Sequence, residues 1–209
     1  MQWYNCNMKT FIETTDKTFA FSSCESCPAR CCDGREGSIF SQLLLSDFEQ
    51  VAKNFPILFT FGDRGYLKAN VLLSDGNNFC PYIVEHKCTI YDERPVVCRN
   101  YPLSGNLDDK IYIDDSCPAV FSNIDEQVGI KIVDNGVVTK EFNSESLINY
   151  QDKFLDTHLH LAQFNDKINF EKVVTIKNME FYQFVGTTED KYMQIHIDSM
   201  KNINKVIKG

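Results

Sequence analysis

The sequence has no long apolar run and no excess of positive charge. No stretch approaches the roughly 20 apolar residues of a membrane-spanning helix, and residues 1–20 lack the basic start and continuous apolar core of a secretory signal. The formal net charge of -8 argues against non-specific nucleic-acid binding and against a polybasic membrane anchor. These absences predict a cytoplasmic protein of the bacterial type that binds neither nucleic acid nor membrane.

Sequence motifs of several enzyme classes are also absent. Neither Gly-x-Ser-x-Gly nor His-Glu-x-x-His occurs. Residues 62–65, Gly-Asp-Arg-Gly, are interpreted as a plain turn rather than as a phosphate-binding loop. The acidic pairs at 108–109 and 114–115 lie in predicted loops and are typical of solvated turns. No catalytic residue is therefore identified, and the sequence leaves open whether the protein is an enzyme.

The sequence is rich in cysteine. Eight of its nine cysteines form two groups: Cys24, Cys27, Cys31 and Cys32, then Cys80, Cys88, Cys98 and Cys117. A Cys-x-x-Cys turn can present two sulfurs to one metal ion. Eight thiols can complete two four-thiolate sites or one polynuclear cluster, so we predict that all eight are metal ligands. At least six of the sulfurs are expected to converge in one small region.

The vicinal pair raises a separate question. Adjacent side chains on an extended segment point to opposite faces. This predicts that Cys31 and Cys32 serve two different centres, or that one of them makes a structural contact instead.

A disulfide framework is the less favoured alternative, because such frameworks belong to short secreted chains and no export signal is recognised here. Cys6 lies outside both groups and is interpreted as a buried or free thiol.

The pattern of apolar residues predicts the α+β class. We expect a small, cysteine-rich, metal-centred domain of short helices and strands at 1–124, followed by an α+β extension at 125–209, since no cysteine follows Cys117. Ser46-Asp47-Phe48-Glu49 matches a capping box and predicts a helix to about residue 54, with Phe48, Val51 and Ala52 inward.

Several further elements are predicted from local signals. A strand is expected at 66–73, a hairpin of 79–84 with 88–91, a helix beginning at Pro95, and a short strand at 111–113. In the second half we expect a hairpin around Asn135-Gly136, a helix at 144–164, strands at 173–176 and 180–185, and a closing helix at 192–207. The inward faces of the two long helices are predicted as follows: Leu147, Ile148, Phe154, Leu155, Leu159 and Ala162 in the first, and Met193, Ile197, Met200 and Ile207 in the second.

The motifs of residues 19–121 resemble the YkgJ-type cysteine-cluster family, the CxxCxxCC zinc- or iron-chelating domain. The most specific match is Cys88-Thr-Ile-Tyr-x-x-Arg94-Pro-x-x-Cys98-Arg99. The family's compact form has two residues before the vicinal pair, whereas this chain has three, at 28–30. The resemblance implies that the chain binds zinc, or iron, or an iron–sulfur cluster.

Charged and aromatic residues lie beside the cysteines. Four thiolates on a divalent ion leave two net negative charges, which we expect Arg94 and Arg99 to offset through N–H···S contacts. The alternative is surface salt bridging to the neighbouring acidic residues 92 and 93. Tyr91 and Tyr101 either shield the site from water or pack in the core, and His86 is the one histidine considered as a ligand.

Three functions remain open at this level, because all-thiolate ligation suits both zinc and iron–sulfur clusters. The first is a metal-binding protein with a structural or metal-handling role. The second is an iron–sulfur enzyme, either an oxidoreductase or a protein-methylating enzyme, since the cysteine pattern loosely resembles that of flagellin lysine N-methylases. The third is a redox or metal sensor. The metal ion is the one partner identified.

Overall fold

The computed structural model describes residues 9–24, 27–62, 65–122, 129–140, 142, 147 and 149–207. Its strands are β1 Phe11–Glu13, β2 Phe19–Phe21, β3 Phe40–Gln42, β4 Ile57–Phe61, β5 Leu67–Leu72, β6 Ile83–Val84, β7 Lys87–Cys88, β8 Leu103–Gly105, β9 Ile111–Asp114, β10 Val120–Phe121, β11 Ile130–Asp134, β12 Val137–Val138, β13 Phe170–Ile176 and β14 Met179–Phe184. Its α-helices are α1 Phe48–Val51, α2 Val96–Asn100, α3 Tyr150–Leu161, α4 Lys191–Ser199 and α5 Ile203–Val206. The α+β class is confirmed. Within the described ranges, no helix has the length and apolar character needed to cross a membrane.

The largest sheet has five antiparallel strands in the order β13-β14-β4-β5-β3. Phe59 of β4 pairs with Ala69 on one side and Tyr182 on the other. Phe59 is fully buried and its ring packs edge-on against Phe170 of β13. Apolar side chains of β4 and β5 form the centre of the main core, as their nearly continuous apolar sequences predict.

The predicted helix after residue 45 is present as a 3-10 turn, Leu45–Asp47, that continues into α1. The carboxylate of Asp47 accepts a hydrogen bond from the backbone N–H of Leu44 at 3.1 Å, which caps the turn. Phe48 and Val51 point inward, as predicted, and both are fully buried.

A second core lies between two smaller sheets, β10-β2-β11-β12 and β1-β9-β8. Phe19, Ile113 and Ile132 are its most deeply buried side chains. The predicted hairpin is present: β11 and β12 pair across Asn135 and Gly136, which have φ of 50° and 84°. Positive φ at both central positions is what a two-residue hairpin turn requires.

Strand pairing joins the two sides of the boundary predicted near residue 125. β14 pairs with β4, and β11 pairs with β2, so two sheets contain strands from both sides. The division into 1–124 and 125–209 rests on composition and stays a prediction. Backbone hydrogen bonds between paired strands therefore join the two parts.

The predicted inward faces of the two long helices are partly wrong. Leu155 and Leu159 of α3 are 52% and 59% exposed, while Thr157 is buried and accepts a hydrogen bond from the Leu45 N–H. In α4, Met193 is fully buried as predicted, but Ile197 is 38% exposed. Polar residues take the inward positions because strands and turns offer them hydrogen-bond partners. Ile148 lies outside the described residues.

Candidate metal centre

The two cysteine groups meet at one cavity of about 720 Å³. Every grouped cysteine lines it except Cys117. Seven of the eight predicted ligands therefore share one cavity, and the convergence of at least six sulfurs in one small region stays a prediction. Exposed side chains such as Lys87 and Tyr91 also line the cavity, so it opens to solvent.

The first group is shaped by two tight turns. The Cys27 N–H donates to the Cys24 carbonyl at 3.3 Å, which closes the Cys-x-x-Cys turn. Residues Arg30–Cys32 then form a 3-10 turn. Gly37 crosses this turn so closely that a Cβ there would lie 2.5 Å from the backbone oxygen of Cys31. Only glycine fits at this crossing, which fixes the backbone of the vicinal pair.

The vicinal cysteines do not point to opposite faces. The Cys31 and Cys32 sulfurs are 3.6 Å apart, and both line the cavity. The prediction of opposite faces is wrong because it assumed an extended segment, whereas the pair lies in a 3-10 turn.

A backbone contact joins the second group to the first. The Cys80 N–H donates to the Cys32 carbonyl at 2.8 Å. The predicted hairpin then follows as β6 and β7, with Ile83 opposite Cys88. His86, in the turn of this hairpin, lies with its Nδ1 3.2 Å from the carbonyl oxygen of Pro28. These contacts hold Cys80 and Cys88 beside the first group.

Cys98 comes from α2, which begins after Pro95 as predicted. The side-chain amide of Gln50 donates to the carbonyls of Glu93 at 2.7 Å and Arg94 at 3.0 Å. α1 and its flanking turn thereby position the start of α2, and with it the Cys98 thiol.

Cys117 is the one grouped cysteine that does not line the cavity. It is 6% exposed and is packed in the second core with Tyr101. The Tyr101 ring lines the cavity, and its hydroxyl donates to Asp114 at 2.9 Å. Cys117 therefore lies behind the cavity wall, within electrostatic reach of Cys31 and Cys27.

Residues 23–118 match the model of the CxxCxxCC family, whose description is "putative zinc- or iron-chelating domain". This segment is therefore similar to the CxxCxxCC family. The resemblance found in the sequence is thereby confirmed, and it spans a little under half of the 209-residue chain. No curated protein and no solved structure matches the chain.

Burial favours the protonated form of several cavity thiols. It raises the pKa of Cys24 and Cys80 to about 11, and that of Cys98 to about 12. The pKa of Cys31 is raised by its hydrogen bond with Cys32 and then by burial. Thiolate is the form that ligates metals, so a bound cation has to displace these protons.

Among the described residues, the cavity lining contains cationic side chains and no carboxylate. Arg94 lies over the Tyr91 ring at 3.5 Å, and its charge lowers the pKa of Cys24 and Cys98. Arg99 is exposed and does not line the cavity. Its charge acts on Asp47, whose pKa is raised by burial and partly restored by nearby cations. The expected offsetting role of both arginines stays a prediction.

Lys9 is a cavity residue that the sequence did not indicate. Its ammonium donates to the Ser38 hydroxyl at 2.6 Å and lies 4.4 Å from the centre of the Tyr101 ring. Its charge lowers the pKa of Cys31. Lys9 precedes the first grouped cysteine by 15 positions and belongs to no motif, so no local signal points to it.

The donor set fits zinc or iron by its chemistry. Thiolates are the ligands that zinc and iron–sulfur centres prefer, and nearby cations can offset the resulting negative charge. Across the residues that the structure describes, no group of three or more His, Cys, Asp or Glu side chains is already arranged around a common metal position.

Proposed function

We propose that this protein binds zinc or iron, the latter as an ion or as an iron–sulfur cluster, through the cysteines of its CxxCxxCC domain. The observation that supports the proposal is the meeting of seven cysteines at one cavity, whose lining has no carboxylate in the part of the chain that the structure describes. A reducing, cytoplasmic compartment would keep these thiols available. The role is metal handling or structural, and the opening of the cavity to solvent favours handling.

The distance between the vicinal sulfurs supports a shared ion. Two thiolates on a tetrahedral zinc ion are about 3.8 Å apart, given a Zn–S distance of about 2.3 Å. The Cys31 and Cys32 sulfurs are 3.6 Å apart. We therefore assign both to the same centre. Cys24, Cys27, Cys80, Cys88 and Cys98 supply the remaining cavity ligands, and Cys117 is the eighth predicted ligand.

Cavity size favours one further candidate, an iron–sulfur enzyme. A volume of about 720 Å³ lies within the range of roughly 300–1,000 Å³ that is typical of small-molecule sites. A catalytic centre needs an open coordination position, and the separate place of Cys117 leaves seven thiols at the cavity. An iron–sulfur cluster would supply redox chemistry there.

Anaerobic purification tests the proposal. We expect bound zinc or iron by elemental analysis, and acid-labile sulfide with visible absorption if the centre is an iron–sulfur cluster. C98S removes a cavity thiol and should lose at least half of the metal, whereas the matched control C6S should retain it. Absence of metal from the anaerobic protein, or equal loss in both variants, would contradict the proposal.

The ligand assignment is tested with three further single variants. If Cys31 and Cys32 share one ion, C31S and C32S should lose the same fraction of metal. C117S should retain more metal than either, because its sulfur lies outside the cavity lining. Loss of metal in C31S alone would show that the two sulfurs do not share a centre.

A further inference from the structure

Two cations of the cavity have no carboxylate partner in the part of the chain that the structure describes. Among the described residues, neither Lys9 nor Arg94 forms an ion pair. Both are only partly exposed, and both line the cavity. The chain has 29 acidic residues and a net charge of -8. Two cations that line one cavity without such an ion pair stand out against this acidic composition. The Tyr91 and Tyr101 rings and the Ser38 hydroxyl contact these cations. No carboxylate of the described residues neutralises their charge, so a bound anion would stabilise this arrangement.

From these observations we propose that the cavity binds a small organic anion, with a carboxylate or phosphate head group held by Lys9 and Arg94. The inference extends the proposed function to a second ligand at the same cavity. It depends on the lining of the cavity and not on which metal is bound.

The polar lining suits an oxyanion. The Lys9 ammonium already lies 2.6 Å from the Ser38 hydroxyl, and Ser41 and Ser104 also line the cavity. Arg94 donates its Nε–H to the Tyr91 carbonyl at 2.8 Å. Its terminal nitrogens form no hydrogen bond with the residues that the structure describes, and a guanidinium fork matches both carboxylate and phosphate geometry.

The apolar lining suits an organic body on that anion. Phe11, Ile83, Ile90 and Val97 line the same cavity as the two cations. A metal ion takes up less space than a water molecule, whose share of liquid volume is about 30 Å³. Most of the 720 Å³ would therefore stay open to a second ligand after binding of a single zinc or iron ion.

A pair of fluorescent probes separates anion binding from apolar binding. 8-Anilinonaphthalene-1-sulfonate is an organic anion, and N-phenyl-1-naphthylamine has the same apolar body without the charge. We expect K9Q and R94Q each to weaken binding of the anionic probe about tenfold or more. Both variants should leave binding of the neutral probe within about twofold of the parent, and K9R should retain most of the anionic binding.

The controls make each outcome decisive. K201Q removes an exposed lysine that does not line the cavity and should bind both probes as the parent does. Displacement of the anionic probe by benzoate indicates a carboxylate ligand, and displacement by phenyl phosphate a phosphate. Equal loss of both probes, or unchanged anionic binding in K9Q and R94Q, would overturn the inference.

Metal content, measured on the same samples, separates this inference from the proposed function. If K9Q and R94Q retain metal and lose the anionic probe, the two cations serve a separate anion. If both variants lose metal and probe in parallel, the cations only compensate the thiolates, and the inference fails. Charge-selective probe binding in a protein that never binds metal would support the anion site while contradicting the proposed function.

Discussion

The five-stranded sheet and the cysteine-lined cavity differ in whether the chain itself supplies a hydrogen-bond or charge partner for each polar group. Beside the sheet, His196 of α4 is fully buried, accepts a hydrogen bond from the Phe184 N–H of β14 at 3.0 Å and lies 2.7 Å from the Ile57 carbonyl of β4. At the cavity, seven cysteines and two cations that form no ion pair with the described residues line a solvent-open space. A polar group that is satisfied within the chain stabilises the fold. A set of polar groups left without partners indicates a ligand from outside.

The comparison predicts that the same substitution has very different effects in the two regions. Phe59 is fully buried in the sheet core, whereas Phe11 lines the cavity and is 43% exposed. F59A should lower the free energy of unfolding by about 3–5 kcal/mol, because it removes a large side chain from a packed core. F11A should cost less than about 1 kcal/mol. Urea unfolding of both variants measures the difference, and similar costs would contradict it.

The buried histidine should make the sheet sensitive to acid. Burial lowers the pKa of His196 to about 4, from an ordinary value of 6.5. The folded state therefore resists protonation. The contribution of neutral His196 to the free energy of unfolding is fully present above pH 6.5 and is lost as the pH falls from 6.5 towards 4. The loss should reach about 3 kcal/mol at the lower end.

The matched control for this prediction is H196Q, which keeps a side-chain donor and acceptor but cannot titrate. Its free energy of unfolding should change less than that of the parent between pH 7 and pH 5. Parallel pH profiles for the two proteins would show that His196 is not the group responsible.

Removal of the metal should affect the cavity more than the sheet. The hydrogen bond from Cys80 to Cys32 joins two segments that carry predicted ligands. After chelation, we expect the amide of Cys80 to exchange hydrogen about tenfold faster, because its segment loses the cross-link. The amides of β4, β5 and β14 should change by less than about twofold. Hydrogen exchange measured before and after chelation checks both expectations, and uniform acceleration would contradict them.

Exchange measurements also test the boundary near residue 125. Composition predicts that residues 19–121 loosen more than the C-terminal part when metal is removed. Strand pairing instead groups β14 with β4 and β11 with β2. Protection that follows these sheets, rather than the two halves of the sequence, would show that pairing and not composition sets the cooperative units.

The sequence by itself determined the features that depend on local chemistry and spacing. The cysteine groups, the Asn135-Gly136 turn and the start of α2 after Pro95 all follow from short-range signals. The α+β class and the matched CxxCxxCC domain follow from the same kind of pattern. These predictions succeeded because backbone geometry at turns and helix starts is set within a few residues.

The tertiary structure alone decided which distant residues meet. It brought Lys9 into the cavity, placed Cys117 behind Tyr101, and turned Thr157 rather than Leu155 inward on α3. It also put Cys31 and Cys32 in a 3-10 turn that directs both sulfurs to one cavity. The physical reason is that such contacts depend on the packing of segments that are far apart in sequence, and local periodicity carries no information about which segment will pack against which.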